Sequence, residues 1–427
     1  MDKFIINGGN RLRGTVQVSG SKNSALPILA ACLLGETPSV ISGVPDLADV
    51  RAMCELLGEL GAVCRREANG DLRIEVEDEG PIHARYDRVR KMRASICVMG
   101  PLLAKRRKAR VAKPGGCAIG SRPIDLHIRG MKALGAEMDL QEGDMVLSAK
   151  RLAGASIFMG GPFGSTVLGT DNVMMAAVLA QGQTIIESAA CEPEVVDLAN
   201  FLNAMGARIT GAGTPRIVIE GVDHLHGANY QVIPDRIEAG TFIIAAAATN
   251  GEVRLANINL DHMMAVVDKL REVGVVIERA NGGVIASSSR HLEPTEVTTL
   301  PYPGFPTDLQ AQLMALLCLA DGNSVITEKI YPDRFMHVAE LERMGANLIK
   351  EGPTVVVAGV KKLIGAPVMA SDLRASAALV VAGLVARGHT TVQRVYHIDR
   401  GYERIEAKLN ALGADIKRVG GEDVPIA

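Results

Sequence analysis

The sequence predicts an α/β fold of two pseudo-threefold domains, assembled from six repeated units of about 70 residues. Three observations carry that prediction. A phrase of the form L-x-x-x-G, with Met for Leu once, recurs as LGELG (57–61), MKALG (131–135), LNAMG (202–206), LREVG (270–274), LERMG (341–345) and LNALG (409–413), with its glycines 68 to 74 residues apart. Each unit also holds a second stretch that is apolar on all sides and rich in alanine. Short β-branched runs separate the two. At 427 residues the chain accommodates two domains of roughly 200 residues, each with its own core.

In chain order the apolar stretches are NSALPILAACLL (23–34), RASICVMGPLLA (93–104), TDNVMMAAVLAQG (170–182), EAGTFIIAAAATNG (238–251), TDLQAQLMALLCLADG (307–322) and SDLRASAALVVAGLVA (371–386). A helix that is apolar all round is buried. These six therefore belong inside the domains, and the amphipathic L-x-x-x-G helices should cover the outside. The runs QTIIES (183–188), RIVIEG (216–221), EVRLAN (252–257), SVITEK (324–329) and TTVQRV (390–395) read as strands. Polar exceptions mark the N-termini of the buried helices: Lys22 and Asn23, Arg93, Thr170 and Asp171, Glu238, Thr307 and Asp308, Asp372 and Arg374. If the buried helices of a domain run parallel, their positive ends converge and their free N–H groups attract anions. Substrates bearing phosphate and carboxylate groups are expected.

Composition removes several function classes. Net charge is −2 and the longest basic run, KRRKAR at 105–110, is short enough to read as an exposed turn. Nucleic acid has no electrostatic footprint to bind. The longest apolar stretches, such as AALVVAGLVA at 377–386, fall short of the roughly 18 residues of a membrane span. MDKFIINGGN carries no apolar signal-peptide region, so a cytoplasmic product is expected. Seven cysteines, an odd number without a C-x-x-C pair, fit reduced thiols that mostly lie in the core. His224 and His226 lack a further ligand at metal-site spacing. No metal and no cofactor is expected, and the partners should be small molecules.

The stretch KPGGCAIGSRPIDLH (113–127) places one thiol, Cys117, among Gly115, Gly116 and Gly120. Glycines open backbone conformations closed to other residues, which leaves Cys117 exposed. Pro123 suits a first helical position, with Ile124, Ile128 and Met131 on one face behind it, so Arg122 stands at a helix N-terminus. A thiol there should have a depressed pKa and serve as nucleophile or proton donor. Lys22 opens the first buried helix, where the dipole opposes a cation unless an anion is bound. Thr307 and Gln310 have capping-box spacing, which gives Asp308 a bland reading as a first-turn charge.

This catalytic-type loop, together with SGSKNSALPILAACLL (19–34), KMRASICVMGPLLA (91–104), FPTDLQAQ (305–312), DRFMHVAELERMGA (333–346), SDLRASAALVVAG (371–383) and YHIDRGYERIEAKLNALGA (396–414), resembles the UDP-N-acetylglucosamine enolpyruvyl transferases over nearly the whole chain. The resemblance implies a pair of inside-out α/β barrels with the active site in the cleft between them. It also implies a crossover: residues 21–230 form the catalytic-loop domain, and residues 1–20 join 231–427. By resemblance Cys117 and Asp308 are catalytic, Cys117 as proton donor and Asp308 as base. Lys22, Asn23, Arg122, Arg334 and Arg400 match positions that bind phosphoenolpyruvate. Arg93, Arg122, Pro123, Ile124, Asp125, Leu126, Gly164, Ser165, Thr166, Val167, Asp308 and Ile330 match the sugar-nucleotide site, and Asp372 and Arg374 support the reacting centre.

GGPFGSTVLGTDN (160–172) departs from the family's commoner Lys-Val-Ser-Val-Gly, so Gly164 to Val167 would hold the diphosphate by backbone N–H groups and the Ser165 or Thr166 hydroxyl. His127 reads equally as structural or functional. Two alternatives stand beside the main reading. One is the shikimate 3-phosphate enolpyruvyl transferase of the same fold, whose chemistry needs no loop cysteine; the other is a non-catalytic sugar-nucleotide-binding paralogue.

Overall fold

The computed structural model describes residues 2–113, 123–289 and 291–420. They divide into two compact units: the described residues from 20 to 233, and those up to 19 together with those from 234 onward.

One sheet topology recurs six times among the described residues, three times in each unit. In the sheet built on Lys108–Ala112, a short edge strand, His83–Ala84, pairs parallel on one side. Asp144–Ser148 pairs antiparallel on the other and forms a hairpin with Glu137–Gln141. Alternate residues face inward, so Ala109 and Val111 are buried opposite Leu147 and Met145. The chain closes each set of sheets with distant strands. Asn229–Gln231 supplies the parallel edge of Ser39–Ser42 in the first unit. In the second, Lys3–Asn7 inserts between His389–Gln393 and Asp415–Val419, and Arg13–Gln17 edges Glu252–Ala256.

The six apolar stretches form the helices Lys22–Ala31, Met99–Arg106, Val167–Ala177, Arg236–Ala248, Thr307–Leu317 and Leu373–Val385. They are buried almost all round; in the last of them every residue from Arg374 to Leu384 is inside. Arg236–Ala248, Thr307–Leu317 and Leu373–Val385 pack against one another, and Val167–Ala177 packs against both Lys22–Ala31 and Met99–Arg106. Each unit has its own core, centred on residues such as Leu29, Leu103 and Met174 in one and Phe242, Met314 and Leu379 in the other.

All six L-x-x-x-G glycines follow the ends of the amphipathic helices Ala48–Glu59, Asp125–Ala133, Pro193–Ala204, Met264–Glu272, His337–Arg343 and Ile405–Ala411, with φ between 84° and 105°. A left-handed residue after the C-cap is where glycine is preferred. The phrase is thus both the repeat and its helix stop.

Several sequence expectations are corrected. Helix Asp125–Ala133 starts two residues after Pro123, with Ile124 at its N-cap. Thr170 and Asp171 lie inside the helix that starts at Val167, fully buried, and mark no N-terminus. KRRKAR is no turn in solvent: Lys105 and Arg106 end a helix, Arg107 caps it in the left-handed region and Lys108–Ala112 continues as a strand. Of the described cysteines, Cys32, Cys97 and Cys318 are core, but Cys54, Cys64 and Cys191 are half-buried.

Candidate active site

The second unit gathers Asp308, Arg334, Asp372 and Arg374 from three elements. Asp308 is the second residue of helix Thr307–Leu317, where the N-terminal dipole favours a carboxylate. The expected capping box does not form: the N-cap is Pro306, and the Thr307 hydroxyl donates to Glu328 instead. Arg334 Nη1 donates to Asp308 Oδ1 at 2.7 Å, and Arg374 Nη2 donates to Oδ2 at 3.0 Å. Burial alone would raise the Asp308 carboxyl, but Arg374 and Arg334 outweigh it and hold it well below the usual carboxylate range.

Asp372 caps helix Leu373–Val385, accepting from the N–H groups of Arg374 (2.7 Å) and Ala375 (3.1 Å), and lies 4.0 Å from Arg334. Below the pair, Tyr402 is buried with the Arg374 guanidinium 5.4 Å from its ring centre. Gln312 Nε2 donates to the Tyr402 hydroxyl (3.0 Å) and to the Asp308 carbonyl (2.9 Å). The Asp308 backbone and Arg374 therefore rest on the same Tyr402. Arg400 ends the 3₁₀ turn Val395–Arg400, and His397 between them is lowered by burial and by Arg400, against the pull of Asp372. Ile330 sits on the turn whose N–H groups at Ile330 and Tyr331 bond Glu328 Oε1 (2.8 and 2.9 Å).

In the first unit Lys22 is the first residue of its helix and lies 3.1 Å from Asp49, with both groups nearly buried. That partner, 27 residues away on the next helix, offsets the unfavourable dipole. Asn23, beside it, is half-buried. Arg93 begins the 3₁₀ turn Arg93–Val98. His127 is buried, and its Nδ1 lies 3.0 Å from Asn172 Nδ2. Since that amide nitrogen donates, Nδ1 accepts and the ring is neutral. Burial, with Arg93 adding to it, pushes His127 down to about 3.

The segments 123–126 and 160–167 come together. Gly160–Gly161 and Gly164–Ser165 form a small hairpin, with Gly164 at φ 95°. A Cβ on Gly161 would stand 3.2 Å from Leu126 Cδ1, so the hairpin lies directly on the helix that follows Pro123 and Ile124. Thr166 is the N-cap of helix Val167–Ala177; its hydroxyl accepts from Gly169 N at 3.2 Å. Cys117 and Arg122 lie outside the described residues. Asp49, Glu328, Asn172, Gln312 and Tyr402 were not singled out from sequence, and no local spacing signals them, because each pairs with a residue distant in the chain.

Chain and site define a class. A sequence profile described as EPSP synthase (3-phosphoshikimate 1-carboxyvinyltransferase) matches residues 6–409, and the chain belongs to this enolpyruvyl transferase family. Within it, the chain is 55% identical over 422 residues to the UDP-N-acetylglucosamine 1-carboxyvinyltransferase of Methylacidiphilum infernorum, covering 98% of this chain and 99% of that one. It is 56% identical to the protein of the same name from Desulfovibrio desulfuricans, with the same coverage. The enolpyruvyl transferase NikO from Streptomyces tendae superposes with a TM-score of 0.88 at 26% identity, covering 98% of both chains. An EPSP synthase from Acinetobacter baumannii shares the fold at a TM-score of 0.77 and 20% identity, covering 98% of this chain and all of that one.

Proposed function

We propose that the protein transfers the enolpyruvyl group of phosphoenolpyruvate to the 3-hydroxyl of UDP-N-acetylglucosamine, releasing phosphate, and so commits the sugar nucleotide to peptidoglycan precursor synthesis in the cytoplasm. One observation carries the choice of acceptor: full-length identity of 53–56% to several relatives that bear this activity in their names. The shikimate reading has less support: it rests on the description of the family profile, which also covers this chain's UDP-N-acetylglucosamine relatives, and on a solved structure at 20% identity that speaks for the fold alone. We further read each unit, with its three like sheets and mutually packed buried helices, as an inside-out α/β barrel of three repeats, the chain crossing between units near residues 20 and 230–234.

In this reading Asp308 takes the proton of the 3-hydroxyl as its oxygen bonds to the second carbon of phosphoenolpyruvate. Cys117 protonates the methylene carbon, giving a tetrahedral adduct. Loss of a proton from the new methyl and departure of phosphate restore the double bond. A carboxylate gripped by two arginines is a weak base. Binding of the anionic substrate draws Arg334 and Arg374 toward its charge, which releases Asp308 and raises its basicity as the acceptor arrives. Lys22, Arg122 and Arg400 hold the phosphate, and Arg334 the carboxylate. Asn23 and Arg93 contact the substrates beside them. Residues 123–126 and the segment 164–167 take the nucleotide, with Ile330 against the sugar.

Phosphate release from phosphoenolpyruvate, followed with each acceptor in turn, tests this. Release with UDP-N-acetylglucosamine and none with shikimate 3-phosphate is expected; the reverse selects the shikimate reading, and release with neither points to a binding protein.

A further inference from the structure

We propose that Glu328 is a positioning residue for the base: through the Thr307 hydroxyl it sets the direction of the hydrogen-bond chain that ends on Asp308, and through its own turn it places Ile330. This rests on Asp308 as the base of the proposed reaction.

The Glu328 carboxylate is fully buried, yet no sequence pattern marks it. Its Oε1 accepts from Thr299 Oγ1 at 2.6 Å, Ile330 N at 2.8 Å and Tyr331 N at 2.9 Å. Its Oε2 accepts from Thr307 Oγ1 at 2.8 Å. All four donors are neutral, and they come from three separate segments. A threonine hydroxyl has one proton to give. Since Thr307 gives it to Glu328, its lone pairs are left to accept from Arg334 Nη1 at 3.1 Å, and that same nitrogen donates to Asp308 Oδ1. Arg334 is thus held in front of Asp308 by a hydroxyl that Glu328 orients. The turn 328–331, pinned by the same carboxylate, carries Ile330.

Other charges reach Asp308 by other routes. Arg374 contacts it directly. Asp372 and His337 act on Arg334, while Asp235 and Tyr402 act on Arg374. None of these routes passes through Thr307.

Glu328→Gln discriminates this role from plain packing. The shape is kept and the amide oxygen can hold the three donors at Oε1, but the amide nitrogen now donates toward Thr307 and reverses that one bond. Thr307 Oγ1 then spends one lone pair on the amide and its proton is turned away from residue 328, so its hold on Arg334 Nη1 weakens, and the Asp308 carboxyl should titrate at higher pH, by about one unit. The reading is the carboxyl ¹³C shift of Asp308 against pH in the substrate-free enzyme, beside the pH profile of kcat. The acid limb should move up with it, and kcat at the optimum should fall roughly tenfold. Thr307→Ala should produce the same displacement, and Glu328→Gln added to it should produce no more. An unmoved Asp308 titration in a folded Glu328→Gln protein overturns the proposal, as do additive shifts in the double variant. If Glu328→Gln does not fold, Thr307→Val, which keeps the shape and loses the hydroxyl, must show the displacement alone; its absence there is equally fatal. A parent that releases no phosphate with UDP-N-acetylglucosamine sinks the proposed function, whereas the carboxyl titration still decides this inference.

Discussion

Arg374 donates from Nη2 to Oδ2 of Asp308 at 3.0 Å, and because the arginine is 2% exposed this contact ties together the first turns of two buried helices. Removing the carboxylate takes from two buried cations the counter-ion they share at hydrogen-bond distance. Asp308→Asn should therefore cost about 3 kcal/mol of stability, far above the few tenths lost with an exposed first-turn charge. Turnover should drop by a factor on the order of 10². Urea unfolding beside steady-state rates checks both; an unchanged midpoint returns Asp308 to the role of a first-turn charge.

Lys22 is the counterpart in the first unit. Its partner Asp49 holds it in place, and Asp49→Asn should leave a nearly buried ammonium without its counter-ion. The variant should melt lower than the parent and be stabilised more by inorganic phosphate, which replaces the lost charge. Equal stabilisation of the two proteins by phosphate removes Lys22 from the anion site.

Acid stability should depend on His127. Its folded-state value is lowered from 6.5 to about 3, so the unfolded chain binds the proton first as pH falls. Stability contributed by the neutral ring is complete above about 6.5 and is lost progressively down to about 3, amounting to a few kcal/mol. His127→Gln keeps an acceptor for Asn172 and cannot titrate. Its melting temperature should fall less steeply than that of the parent between these limits; parallel curves contradict the assignment.

The hairpin separates capping from binding. Thr166→Ala should cost about 1 kcal/mol of stability through the lost N-cap, whereas Ser165→Ala should not. Gly164→Val forces a branched residue into φ 95° and should weaken UDP-N-acetylglucosamine binding by more than either. Titration calorimetry decides; undiminished affinity in Gly164→Val moves the diphosphate elsewhere.

The repeat, the buried helices and the strand runs were legible because burial imposes a period, and the helix-stop glycines because a left-handed C′ position selects one residue. Helix starts were less legible. Val167 opens its helix three residues before the polar pair that looked like an N-terminus, since a hydroxyl at Thr166 caps it from outside the apolar run. Candidate residues such as Asp308 and Lys22 could be named from sequence, but not their electrostatic state. That state is set by Arg374, 66 residues from Asp308, and by Asp49, 27 residues from Lys22. Long-range pairs of this kind leave no local trace, and Glu328 went unnoticed for the same reason.

The central claim is tested most directly by identifying the product. The protein is incubated with phosphoenolpyruvate and UDP-N-acetylglucosamine, and the sugar nucleotide is recovered for mass spectrometry and proton NMR. The account predicts a gain of one enolpyruvyl group in place of a hydrogen, vinylic proton signals and attachment at the 3-oxygen, with formation slowed by Asp308→Asn. Unmodified UDP-N-acetylglucosamine, or attachment at a different oxygen, would contradict it.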